Sequence, residues 1–121
     1  MTRPARRQAF KTRVSMWATR VRVEPTQVRV QKMTRKWASC SSQGWCTFAA
    51  DLLEQSNAFQ DYVIVHELLH LKVRNHGRVF RSLLTAHVPS WRQFCPNGLG
   101  TSCITRGVDL GDVQTDGLKQ R

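Results

Sequence analysis

Between residues 5 and 21 apolar side chains return every three or four positions. They are Phe10, Val14, Trp17, Ala18 and Val21, with arginines and Lys11 between them. That is the period of a helix with one buried face, and it predicts a helix over 5–21, closed by Glu24-Pro25. From Gln27 the period drops to two. Val28, Val30 and Met33 alternate with polar residues, as in a half-buried strand. A second strand is expected over 36–40 and a return strand over 45–49, joined by a turn of the composition SSQG. Residues 52–56 read as a loop. Asn57 is the expected N-cap of the next helix, with Gln60 three residues on and Asp61 in the first turn. That helix, over 58–73, is apolar on nearly every side between residues 62 and 71, the mark of a central, buried element. A shorter helix over 78–87 stops before Val88-Pro89. Trp17, Trp37, Trp45 and Trp91 are expected core anchors, together with Phe80, Leu83 and Leu84. The pattern therefore predicts one domain at 1–94, followed by a poorly structured, glycine-containing extension at 95–121.

The buried helix contains the sequence VIVHELLHLKVRNH. His66 and His70 are four residues apart, so they share one helical face one turn apart. Glu67 lies beside the first, and His76 follows where the chain can turn back. In a chain of this composition, a chance His-Glu-x-x-His is expected about 0.003 times. A buried carboxylate beside two imidazoles is costly unless something compensates it, and a dication does so directly. The pattern predicts a metal centre with His66, His70 and His76 as ligands. A fourth position stays open for water, and Glu67 is the general base. The histidine spacing equals that of metzincins, but Val73 stands at their glycine position. Met1, Met16 and Met33 all precede the motif, so there is no Met-turn. Asn75 and Gly77 supply the reversal instead.

Charge adds a second theme. The 121 residues carry a formal net charge of +11. Residues 3–36 hold eleven lysines and arginines against the single acid Glu24. Such a segment attracts polyanions, whether nucleic acid, nucleotide or an acidic protein; a solvated basic face explains it equally well. Recognition aromatics do not interleave it, since only Phe10 and Trp17 fall within it, so sequence-specific readout has no support. No apolar run is long enough to span a bilayer and no apolar leader is present. A cytoplasmic protein without a membrane partner is expected. The cysteines at 40, 46, 95 and 103 form no Cys-x-x-Cys pair and read as reduced thiols.

The stretch DYVIVHELLHLKVRNHGRVF, followed by VPSWR and preceded by KWASCS, resembles the YgjP-like metallopeptidase domain family, related to the SprT and WLM zinc proteases. The resemblance covers about residues 10–94. It implies a minimal zincin-like domain of the α+β class. Its parts would be an N-terminal helix, a small, mostly antiparallel sheet, a buried HExxH helix and a closing helix. It also implies one Zn2+ per chain on His66, His70 and His76, with Glu67 as catalytic base and a protein or peptide as substrate. Lys36, Ala38 and Arg81 depart from the arginine, glycine and aromatic usual in the family, and its strands before the first helix are not found. Tyr62, Arg78 and His87 are the candidates for an oxyanion or substrate contact. Two other functions compete with a metallopeptidase. One is a nucleotide phosphohydrolase (pyrophosphatase) using the same metal. The other is a basic nucleic-acid-associated protein with a degenerate site. Glu67 argues against a purely structural zinc, which needs no base.

Overall fold

The computed structural model describes residues 3–41, 43–73 and 77–94. Helix α1 runs Arg3–Val21 and buries the five apolar residues that its period selects, Phe10, Val14, Trp17, Ala18 and Val21. It ends before Glu24-Pro25 comes into play. Arg22 turns left-handed at φ 69°, and the N–H groups of Arg22 and Val23 both donate to the Ala18 carbonyl, at 2.8 and 3.0 Å. Glycine usually takes this position, which is why the sequence gives no stop signal there. Lys72 Nζ donates to the Val21 carbonyl at 2.9 Å, satisfying a helix-end acceptor with a charge of favourable sign.

Three strands follow: β1 (Gln27–Gln31), β2 (Ala38–Cys40) and β3 (Trp45–Ala49). Their order is β1-β3-β2, so the last in sequence is the middle one in space. β2 and β3 form the expected antiparallel hairpin over three paired positions, but β1 runs parallel to β3 over five. The sheet is mixed rather than mostly antiparallel. Gly44 explains the arrangement. Its φ is 90°, and a Cβ there would stand 2.7 Å from Thr26 Oγ1. Thr26 lies against the hairpin turn, donating its N–H to the Gly44 carbonyl and its hydroxyl to the Gln43 carbonyl, each at 2.8 Å. The approach to β1 is thereby pinned beside the start of β3, which fixes a parallel register.

Alternation along β3 turns Cys46 and Phe48 inward and leaves Trp45 43% exposed. Trp45 is therefore not a core anchor. Its ring lies under the Arg29 guanidinium at 5.4 Å. Trp17 and Trp91 are buried as expected, and half-buried Trp37 meets Phe59 edge-on at 5.3 Å.

Residues expected as a loop form a 3-10 helix, Ala50–Glu54, which buries Leu52. Helix α2 (Asn57–Leu69) begins one residue earlier than expected. Ser56 is its N-cap, with Oγ accepting from the Phe59 N–H at 3.2 Å. Gln60 takes no part in a capping box; its side chain donates to the Leu53 and Gln55 carbonyls at 3.3 and 2.9 Å. Ser56→Ala is expected to cost about 1 kcal/mol of stability, read in urea as a lower midpoint at unchanged slope.

Helix α1 packs along α2. Trp17 Nε1 donates to Asp61 Oδ1 at 2.9 Å, and Arg13 Nε reaches the same oxygen at 3.0 Å. Helix α3 spans Arg78–His87 as predicted, with Phe80 and Leu84 inward. A 3-10 turn at Trp91–Gln93 brings the fully buried Trp91 back to α3, where its Nε1 donates to Thr85 Oγ1 at 2.9 Å. The result is the α+β architecture expected. Among the described residues no helix is long and apolar enough to cross a membrane. The extension expected at 95–121 lies outside the described residues.

Candidate metal centre

The site is made by the last two turns of α2. Every residue from Tyr62 to His70 is buried, because this helix lies under both α1 and α3 and beside β2. Its last turn tightens. The N–H groups of His70, Leu71 and Lys72 each bond to the carbonyl three residues back, at 3.0–3.1 Å. These are 3-10 bonds, and they close the helix at Leu69 instead of carrying it to residue 73.

His66, Glu67 and His70 are 1%, 0% and 3% exposed. One donor atom from each lies within 4.8 Å of the others. The imidazole centroids are 5.0 Å apart. His66 Nδ1 stands 3.3 Å from Glu67 Oε2. In the Nδ1–H tautomer the imidazole donates to that carboxylate, and Nε2 is then the nitrogen that can bind a metal. The donor set is nitrogen and oxygen with no thiolate, which suits zinc. A metal held at about 2.0–2.2 Å by two donors needs them roughly 3–4 Å apart, so small side-chain rotations suffice. The residues present fit a divalent cation.

Across the site from α3 comes Phe80, fully buried, with its ring centroid 5.2 Å from His66 and 5.0 Å from His70. Sequence periodicity marks it only as core; nothing in the chain says that it walls both imidazoles. Tyr62 is one turn before His66, its ring 5.9 Å from that imidazole and stacked on Phe94 at 5.5 Å. Its hydroxyl is buried with no hydrogen-bond partner among the described residues. Burial, and then the nearby Glu67 charge, push the phenol far above its usual range, so it stays protonated and remains a donor.

The other candidates lie elsewhere. Arg78 opens α3 and borders a surface cavity of about 410 Å³ with Arg81, Ser82, Thr85 and Arg92. His87 closes α3, its ring edge-on to Trp17 at 6.2 Å. Burial, Lys72 and Arg20 hold its pKa below the usual histidine range. His76 lies outside the described residues.

A family model described as YgjP-like, metallopeptidase domain, matches residues 1–95. The chain belongs to this family. No curated protein and no solved structure matches it. The YgjP-like assignment bears on the same helix that holds the buried donor group. Together they support a metal-dependent hydrolase of the metallopeptidase type. The basic segment at 3–36 is partly committed to the fold of this YgjP-like domain. Arg13 is paired with Asp61, Arg7 donates to the Val30 carbonyl, and Arg6, Arg7 and Lys32 share a cavity with Asp51 and Glu54.

Proposed function

We propose that the chain is a zinc-dependent peptidase in which His66, His70 and His76 hold one Zn2+ and Glu67 is the general base. The observation that carries this reading is the buried cluster of two imidazoles and a carboxylate within 4.8 Å on one apolar helix. When bound, zinc supplies a Lewis acid that makes water acidic near neutral pH. Glu67 accepts the proton of the attacking water on its carboxylate and returns it to the leaving nitrogen. Its contact with His66 orients both groups. Phe80 keeps water from the flank of the two imidazoles, which strengthens every charge interaction inside.

Tyr62 is the proposed oxyanion donor, supported by a buried hydroxyl that has no hydrogen-bond partner among the described residues. Tyr62→Phe is expected to lower kcat by about 10²–10³-fold. Stability should hold or rise, because an unsatisfied buried hydroxyl stabilises nothing. Equal loss of activity and of folding would remove Tyr62 from this role.

Nucleotide phosphohydrolysis at the same centre is the second reading. Its support is a basic cavity bordered by Arg78, Arg81 and Arg92 with two hydroxyl side chains, since guanidinium groups clamp phosphates, although none of His66, Glu67 and His70 lines it. The deciding experiment is elemental analysis of wild type, His70→Ala and His76→Ala, with casein-type peptides and nucleoside triphosphates assayed side by side. Near-stoichiometric zinc in wild type, lost in both variants, together with chelator-sensitive peptide cleavage, is the expected result. Folded wild-type protein that takes up no zinc when supplied would overturn the proposal.

A further inference from the structure

Two cysteines from opposite arms of the hairpin meet. Cys40 on β2 and Cys46 on β3 are register partners, and their sulfurs are 3.0 Å apart. Both are thiols rather than a disulfide. That separation is only about 1 Å longer than an S–S bond.

The ladder explains the approach. Ser41 donates to the Trp45 carbonyl at 2.9 Å and Ala49 to the Trp37 carbonyl at 2.8 Å. These two pairs lie one and three steps from Cys40–Cys46, and hydrogen-bonded and non-hydrogen-bonded pairs alternate in an antiparallel ladder. Cys40–Cys46 is therefore a non-hydrogen-bonded pair, the kind whose Cα atoms sit closest, at about 4.5 Å. That spacing lies inside the range that a disulfide accepts without moving the backbone. The turn is held from within, with the Ser41 hydroxyl accepting from the N–H groups of Gln43 and Trp45, each at 3.2 Å. The two Cβ atoms stay opposed as long as the hairpin is closed. Their accessibility differs: Cys46 is 1% exposed and Cys40 is half-buried.

We propose that Cys40 and Cys46 are a thiol-oxidation site that closes to a reversible cross-strand disulfide, with a low-molecular-weight disulfide such as glutathione disulfide as the oxidant. Cys40, the accessible member, attacks the glutathione disulfide as thiolate. The Cys40–glutathione bond forms, the glutathione S–S bond breaks, and one glutathione thiolate leaves with the proton that Cys40 gave up. Cys46 then attacks the Cys40 sulfur, expelling the second glutathione in the same way. The two cysteines lose two electrons and two protons, and one glutathione disulfide becomes two glutathione thiols. Proximity makes Cys46 the resolving thiol despite its burial. The bond ties β2, the sheet edge that packs on α2, to the central strand. This site does not depend on the hydrolytic reading.

The test uses the full chain with Cys95→Ser and Cys103→Ser, leaving the pair alone, exposed to glutathione disulfide. Thiols titrated after denaturation should fall from two to none. The mass should drop by about 2 Da with no glutathione retained, and a non-reducing peptide map should join Cys40 to Cys46. Dithiothreitol should restore both thiols. Adding Cys40→Ser to the same background should leave Cys46 as an unmodified thiol, because nothing accessible remains to start the exchange. Two persistent thiols, a stable glutathione adduct on Cys40, or a disulfide-linked dimer would each overturn the proposal.

Discussion

Glu67→Gln is expected to lower kcat/KM for peptide hydrolysis by roughly 10²–10⁴-fold, the range for a positioned general base, while the folded protein keeps its metal. The substitution is close to isosteric at a residue with no exposed surface, so the packing around it is preserved. What changes is basicity, because an amide cannot take a proton from water. The amide can still face His66 across the 3.3 Å contact by presenting either its oxygen or its NH2 group to the imidazole. Hydrolysis of casein-type substrates and zinc content are measured on the same preparation. Full activity in the variant would show that another group moves the proton. Loss of zinc together with activity would make Glu67 a ligand rather than a base.

The second large effect belongs to Phe80. Its ring is fully buried and is the aromatic surface that α3 presents to both imidazoles. Phe80→Ala removes that surface and leaves a cavity beside His66 and His70, at an expected cost of about 3–5 kcal/mol. That is a large part of the 5–15 kcal/mol typical of a domain. Urea denaturation reads the loss. A zinc titration should show weaker binding even where the variant is still folded, because the imidazoles lose the wall that fixes their rotamers. Phe80→Leu should retain most of both properties. If alanine and leucine behaved alike, the ring would be filling volume only, and its contacts with His66 and His70 would carry no functional weight.

The elements that sequence could read are those whose signal is local. The face of α1, the limits of β3 and α3, and the pairing of His66 with His70 all follow from a period or a four-residue step. Helical geometry converts those directly into neighbours in space. What the sequence hid was decided by contacts between elements. Parallel pairing of β1 with β3 depends on Thr26 settling against the Gly44 turn, which no period encodes. Trp45 has the composition of a core residue, and only the sheet's alternation turns it outward to Arg29. Ser56 rather than Asn57 is the N-cap; the Asn57 side chain accepts from Arg13 of α1 instead, a contact between elements that no local pattern encodes. At the site, the clustering of His66, Glu67 and His70 was legible and its surroundings were not. The buried Tyr62 hydroxyl, without a partner among the described residues, and the Phe80 wall both arise from packing of α2 with segments later in the chain. The Cys40–Cys46 contact lay between. Two cysteines flanking a predicted turn can be seen in the sequence, but only the register makes them partners.

The central position of β3 also sets an order of assembly. A parallel neighbour cannot be reached by a tight turn, and here the excursion between β1 and β3 contains β2 itself. Until the hairpin closes, β1 has no strand to add to. The hairpin is a local structure that forms with little loop entropy, whereas β1 joins at the cost of closing a longer loop. Residues of the hairpin turn, Gly44 among them, thus belong to the early part of folding and govern the folding rate, while β1 residues such as Val30 govern how fast the native sheet comes apart. Helix α2, which carries His66 and Glu67 and ends at His70, waits on a sheet that is completed from its middle strand outward.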